Sequence, residues 1–323
     1  MTPKPPFDPE LEALMAKMPS NPDMRPDILP IMRTGLEQVF TADAVISGKP
    51  IEHEEVQIQV SGGEITLSIF RPTSRSDSQK LGPGIYFIHG GGLVVGNQFL
   101  GMSVVAEWIE KFEATCVSVE YRLAPEHPYP IPLEDCYAGL RWVGDHFSEL
   151  GIDESRLMLA GQSAGGGLAA AVAIHARNQG GPQICAQVLM CPMLDHRNIT
   201  VSSQQFLTEG TWRGKNNQVA WACYLGEHGK AEGEQVDILA SPALATAADL
   251  SNLPTTFIDV GTAETFRDED IAYANRLLEA GVQVELHAWP GGIHGFDLLL
   301  PTCKLSQKAI QTRTAWVERI LSN

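Results

Sequence analysis

Residues 157–172 read LMLAGQSAGGGLAAAV: a short apolar run, one serine set among four glycines and an alanine, then an alanine-rich run able to form a helix. Gly161, Ser163 and Gly165 fit G-x-S-x-G, in which a strand turns sharply into a helix and the serine occupies the turn with strained backbone angles. Small residues two positions either side of the serine let such a turn close without clashes. Gly161 and Gly166 also have the spacing of a phosphate-binding loop. That loop needs Lys and then Ser or Thr after its second glycine, whereas this chain continues Gly167-Leu168.

Working outward, short apolar runs rich in β-branched or aromatic residues recur at 84–90, 115–121, 156–161, 186–192, 255–261 and 282–289, with helix-length segments between most of them. This alternation predicts an α/β fold with a mostly parallel central sheet flanked by helices. Ahead of it, VQIQV (56–60) and ITLSIF (65–70) alternate with period two around Gly62-Gly63 and predict an antiparallel hairpin. Residues 1–50 hold nine prolines and two amphipathic stretches, 11–18 and 28–40, which read as helices separated by Pro19-Ser20-Asn21-Pro22. The interval 194–252, with Trp212, Trp221 and Tyr224, reads as an insertion covering the sheet's edge.

In open α/β sheets the carboxyl ends of the strands face one crevice, so partners of Ser163 belong on loops that leave those ends. A serine hydroxyl needs a base to take its proton and a group to orient that base. His294 follows the strand at 282–289 through Pro290-Gly291-Gly292, while His175 and His287 read as packing or surface residues. The loop after the strand at 255–261 carries Glu264, Asp268, Glu269 and Asp270. Asp268 and Asp270 open an expected helix over 268–280, where an acid caps free N–H groups or favours the dipole. Glu264 precedes that helix with no structural duty, so it is the expected acid and Asp268 the alternative. The order Ser163, Glu264, His294 is that of α/β-hydrolases. Attack on an ester carbonyl also needs N–H donors for the developing oxyanion. The run His89-Gly90-Gly91-Gly92, together with the N–H of Ala164 after the nucleophile, is placed to supply them.

With HGGGLVVG at 89–96, EYRLAPEHPYP at 120–130, GQSAGG at 161–166, ETFRDE at 264–269 and IHGF at 293–296, the chain resembles the hormone-sensitive-lipase-like carboxylesterases from about residue 50 to its end. The resemblance implies cofactor-free hydrolysis of short- to medium-acyl esters, with Ser163 as nucleophile, His294 as base and Gly90 to Gly92 with Ala164 as the oxyanion hole. It also implies a cap over the acyl pocket, built from an arm at 1–45 and from about 195–245, on a hydrolase domain spanning 46–323. Two residues depart from the family pattern: Glu264 stands where aspartate is usual, and Gln162 replaces an aspartate beside the nucleophile, removing a negative charge. Leu93, Val94, Phe206, Trp212, Trp221 and Phe296 are the candidate pocket residues. Arg122 and Glu126 are expected to pair within an irregular, proline-rich turn. Lactone, amide or specialised-metabolite acetate hydrolysis uses the same groups. A non-catalytic small-molecule receptor on the same fold, as the plant gibberellin receptors exemplify, is the alternative from another class, although such a receptor can lose the base that His294 supplies here.

Composition sets the outer bounds. With 23 Lys plus Arg against 39 Asp plus Glu, the net charge of −16 opposes attraction to nucleic acid or anionic lipid. No metal-binding motif appears, and the expected partner is a small ester, met as a monomer or as a homodimer through an edge strand. The six cysteines lack C-x-x-C spacing and are expected to be reduced. The start, MTPKPPFDPE, lacks the apolar core of a secretory signal, and no apolar run is long enough for a membrane span, so a cytoplasmic location is expected. The sequon Asn198-Ile199-Thr200 is expected to be accidental.

Overall fold

The computed structural model describes residues 3–18, 23–75, 81–228 and 235–321. Eight strands form one sheet: β1 (Ile51–Val60), β2 (Gly63–Pro72), β3 (Gly82–Ile88), β4 (Thr115–Glu120), β5 (Ile152–Gln162), β6 (Ala186–Met190), β7 (Thr255–Gly261) and β8 (Val284–Trp289). Their order is β1-β2-β4-β3-β5-β6-β7-β8. Every neighbouring pair from β4 to β8 is parallel, while β2 runs antiparallel to both β1 and β4. The mostly parallel sheet is as expected. So is the hairpin, which closes on the pair Val60 and Gly63 through Gly62 at φ +75°. It joins the sheet as its antiparallel end.

The helices are α1 (Pro9–Met15), α2 (Leu29–Val39), α3 (Ala42–Ile46), α4 (Met102–Phe112), α5 (Ile131–Asp145), α6 (Phe147–Leu150), α7 (Ala164–Gln179), α8 (Val201–Gln205), α9 (Gly214–Leu225), α10 (Arg267–Glu279), α11 (Phe296–Leu299) and α12 (Lys304–Leu321). Both helices expected in the N-terminal arm form, as α1 and α2; the proline break at 19–22 lies outside the described residues. Because side chains alternate across a strand, β3 sends Ile85 and Phe87 into one apolar cluster with α4 and α12, and Tyr86 and Ile88 into another with α5 and α7. β5 does the same with Met158 and Ala160 against Leu157 and Leu159. Burial on both faces is why these strands read as continuous apolar runs. Helix α7 buries 12 of its 16 residues, and its glycines and alanines let it lie close on β5 and β6.

Burial also decides three side-chain assignments. Arg122 does not pair with Glu126. Its Nε and Nη2 donate to Asp135 at 2.8 and 2.6 Å, because fully buried Asp135 requires a cation, and Glu126 at the surface takes Arg33 from α2 instead. The sequon is closed to a glycan: the Asn198 amide is buried, donating to Gly214 O and accepting from Asn217. All six thiols are free, and five are buried. No described helix is long and apolar enough to cross a membrane.

Candidate active site

β5 ends at Gln162, and Ser163 takes φ 56° and ψ −120° before α7 begins at Ala164. Such backbone costs about 1–3 kcal/mol and persists only where its surroundings hold it. Here Ser163 N donates to Met190 O at 2.8 Å, and Ser163 O accepts from Met193 N and Gly167 N at 2.9 and 3.0 Å. A Cβ on Gly161 would lie 2.2 Å from Gly165 O, and one on Gly165 would lie 2.1 Å from Ile88 O. The glycines of the motif are therefore a steric requirement of the turn.

The loop after β8 brings His294 Nε2 to 2.9 Å from Ser163 Oγ. On its other side, His294 Nδ1 lies 2.6 Å from Glu264 Oε2, and Glu264 Oε1 accepts from Gly261 N at 3.0 Å. This network assigns the Nδ1–H to Glu264 and leaves Nε2 to accept the serine proton. The Phe266 ring stands perpendicular to the imidazole at 5.0 Å, and Thr211 Oγ donates to His294 O. Asp268, the alternative acid, is elsewhere: it accepts from Ser202 N at 2.7 Å and pairs with Arg267. Neither Asp268 nor Asp270 caps α10 by a side-chain hydrogen bond, although both stand in its first turn beside Glu269, where the dipole favours acids. Glu269 accepts from Leu194 N and Asp195 N, and burial pushes the carboxyls of Glu269 and Asp270 well up. Cys191, Glu264 and His294 offer atoms within 4.8 Å of one another. Glu264 and His294 already engage each other, and burial raises the Cys191 thiol well above its ordinary range, so the thiol is a neutral neighbour.

The glycine run lies beside the nucleophile. Gly91 and Gly92 adopt φ 109° and 63°, and a Cβ on Gly91 would come 1.8 Å from Val95 O. Among the described residues, the N–H groups of Gly91, Gly92 and Ala164 donate to no backbone acceptor. His89 anchors the run: it is fully buried, stacks on Tyr121 at 4.2 Å, and places Nδ1 2.7 Å from Gly90 O. Burial pulls its pKa down to about 4, so the ring is neutral and its Nδ1–H donates to that carbonyl. Tyr121 OH in turn donates to His89 O at 3.0 Å.

A cavity of about 600 Å³ opens onto Ser163, His294, Gly90, Gly91 and Gln162. Its walls include Met15, Met18, Met32 and Leu36 from the N-terminal arm and Trp212 from the insertion, and none of the described lining residues is Asp, Glu, Lys or Arg. Of the candidate pocket residues, Trp212 lies on this wall. Leu93 and Trp221 border a separate small void beside Ala164. Phe206 is fully buried with its ring 6.0 Å from Phe7, and Phe296 packs beneath the histidine loop among Ile293 and Trp289. An arm over the pocket was expected, but which of its residues line the cavity was not read from the sequence. Met32 and Leu36, four apart on one helical face, carried the signal, but only docking shows which way that face turns.

A nucleophilic serine, its base and an acid in hydrogen-bonded series at one rim of a mostly parallel sheet define a serine hydrolase of the α/β-hydrolase fold. The family model described as alpha/beta hydrolase fold matches residues 85–298, and the chain belongs to that family, within its hormone-sensitive-lipase-like members. It is 33% identical over 273 residues to Esterase LipI of Mycobacterium tuberculosis, covering 81% of each chain. It is 32% identical over 302 residues to Carboxylesterase NlhH of the same species, covering 92% of each. Among solved structures it resembles a bacterial heroin esterase, with TM-score 0.88 and 34% identity over 98% of each chain. The chain is a carboxylesterase.

Two outcomes follow from this geometry. Gly91→Ala, which forces a methyl onto Val95 O, is expected to lower kcat about 10²–10³-fold, with a much smaller change in KM, in steady-state assays on p-nitrophenyl butyrate. His89 is held neutral in the folded chain, whereas an imidazole ordinarily titrates near 6.5, so its contribution to stability is complete above about pH 6.5 and lost as pH falls towards 4. Urea unfolding across that range is expected to show about 2–3 kcal/mol of acid loss in the wild type that is absent from His89→Gln.

Proposed function

We propose that Ser163 attacks the carbonyl of a neutral carboxylic ester, with His294 as general base and then acid, and with Glu264 holding the imidazole and favouring its protonated form. The bond that forms is Ser163 Oγ to the acyl carbon. The proton from Oγ passes through His294 Nε2 to the leaving alcohol, and water, deprotonated by the same nitrogen, then releases the acid. Gly91, Gly92 and Ala164 donate to the oxyanion, with Gly90 shaping the approach. The observation that carries this reading is the unbroken series from Ser163 Oγ to His294 at 2.9 Å and from His294 to Glu264 at 2.6 Å.

We assign the arm at 1–45 and the segment at about 195–245 as a cap, because both contribute wall to the cavity above Ser163. An uncharged, methionine-rich wall favours neutral apolar esters of short to medium acyl length, since a charged acyl group would lose its hydration without gaining a partner. The proposal covers a monomer or a homodimer, since the hydrogen-bonded series from Ser163 to Glu264 lies within one chain. A cytoplasmic location is part of the proposal and is supported by the free state of the six thiols.

Ser163→Ala is expected to abolish turnover of p-nitrophenyl butyrate and stoichiometric labelling by a fluorophosphonate; retention of either removes Ser163 from the mechanism. Across a graded series of p-nitrophenyl esters, kcat/KM is expected to peak at butyrate or hexanoate. It should fall at least about tenfold for a hemisuccinate, whose carboxylate finds no Lys or Arg among the described residues of the cavity wall. Equal rates on hemisuccinate and butyrate would count against the neutral-ester assignment.

A further inference from the structure

Helix α12 places one arginine where a charge is costliest. The Arg313 side chain is 2% exposed, hydrogen-bonds Asp259 Oδ2 through Nη2 at 2.7 Å, and brings the same nitrogen to 2.8 Å from Asp297 Oδ2. Both carboxylates are buried. Asp259 lies in β7, two residues before Gly261, whose N–H donates to Glu264. Its Oδ2 also accepts from Trp289 Nε1 at 3.2 Å, at the end of the strand that leads to His294, and its carbonyl accepts from Cys191 N at 2.7 Å. Asp297 lies in α11, three residues after His294. One guanidinium thus joins the strand that launches the acid's loop to the short helix that ends the histidine's loop. A small void lined by Glu264, Cys191, Asp259, Asp297 and Arg313 puts the cluster directly beneath the acid.

A buried ion cluster is weak evidence of a stabilising role. Replacing a whole buried ion cluster by apolar side chains of similar volume is often neutral or stabilising, whereas a charged group between two carboxylates fixes their separation and direction. The reacting geometry is sensitive to that separation, since a displacement of about 1 Å can cost about 10²-fold in rate. We propose that Arg313 is a positioning residue for the hydrolysis: acting through Asp259 and Asp297, it sets the spacing between Glu264 and His294. The assignment rests on the roles given above to Ser163, His294 and Glu264.

The test compares Arg313→Met, Arg313→Lys and Asp297→Asn in the full chain, with rates on p-nitrophenyl butyrate expressed per folded molecule and folding followed by near-ultraviolet circular dichroism. Arg313→Met and Asp297→Asn are expected to lower kcat at least about tenfold while KM stays within about twofold, and Arg313→Lys, which restores a cation between the carboxylates, is expected to recover part of the loss. Where Arg313→Met does not fold, Asp297→Asn and Arg313→Lys carry the comparison. The proposal is overturned when the folded variants lose thermal stability but keep kcat per folded molecule within about threefold of the wild type. Ser163→Ala separates the two levels: an active Ser163→Ala refutes the triad assignment, whereas an inactive Ser163→Ala beside fully active Arg313 variants refutes only the brace.

Discussion

The backbone turn at Ser163 constrains everything around it. A residue with a side chain is held at φ 56° because its N–H donates to Met190 at the end of β6, its carbonyl accepts from Met193 and Gly167, and Gly161 and Gly165 leave room for the chain to pass within van der Waals distance of β3. That close passage sets the hydroxyl beside the loop that leaves β3, so nucleophile and glycine run are neighbours by construction. The strain stored in the turn is offset by hydrogen bonds to buried backbone at the end of β6, in the segment after it and in the first turn of α7.

The rest of the site is built from what this turn leaves open. Loops from β7 and β8 converge on the hydroxyl because parallel strands end together, and buried polar contacts then fix where each loop stops: Gly261 N on Glu264, Thr211 on His294 O, and His89 and Tyr121 on the glycine run. The N-terminal arm is fastened to the same rim. Arg33 of α2 donates to Val94 O and Ala124 O, each at 2.8 Å, so the helix that presents Met32 and Leu36 to the cavity is tied to the segment that follows the glycine run. The cavity wall and the glycine run therefore share one scaffold.

Much of this was legible in the residue order, for a definable reason. Period-two and apolar runs gave the sheet, because burial on both faces of a central strand demands continuous apolar sequence. The glycines around Ser163 and at 90–92 announced themselves because their role is local: a missing Cβ is required by atoms a few residues away. Glu264 was separable from Asp268 by its place ahead of α10, and the longer glutamate side chain reaches both His294 and the N–H of Gly261. Less was readable where a side chain's direction mattered. Leu93 and Phe206 point into packed interior, while Trp212 faces the cavity; a list of large apolar residues does not distinguish these. Likewise Arg122 had two acids within reach along the chain, and the buried one took it.

By itself, then, the sequence determined the fold class, the strand-to-helix turn, the order of Ser163, Glu264 and His294 and the tight glycine run at 90–92, because each depends on periodicity or on steric demands within a few residues. Tertiary structure alone decided which residues of the arm line the cavity, which aromatic faces it, and that Arg313 reaches Asp259 and Asp297. Those outcomes depend on how surfaces distant in the chain dock and on which buried charge finds which partner, and local preference carries no information about either.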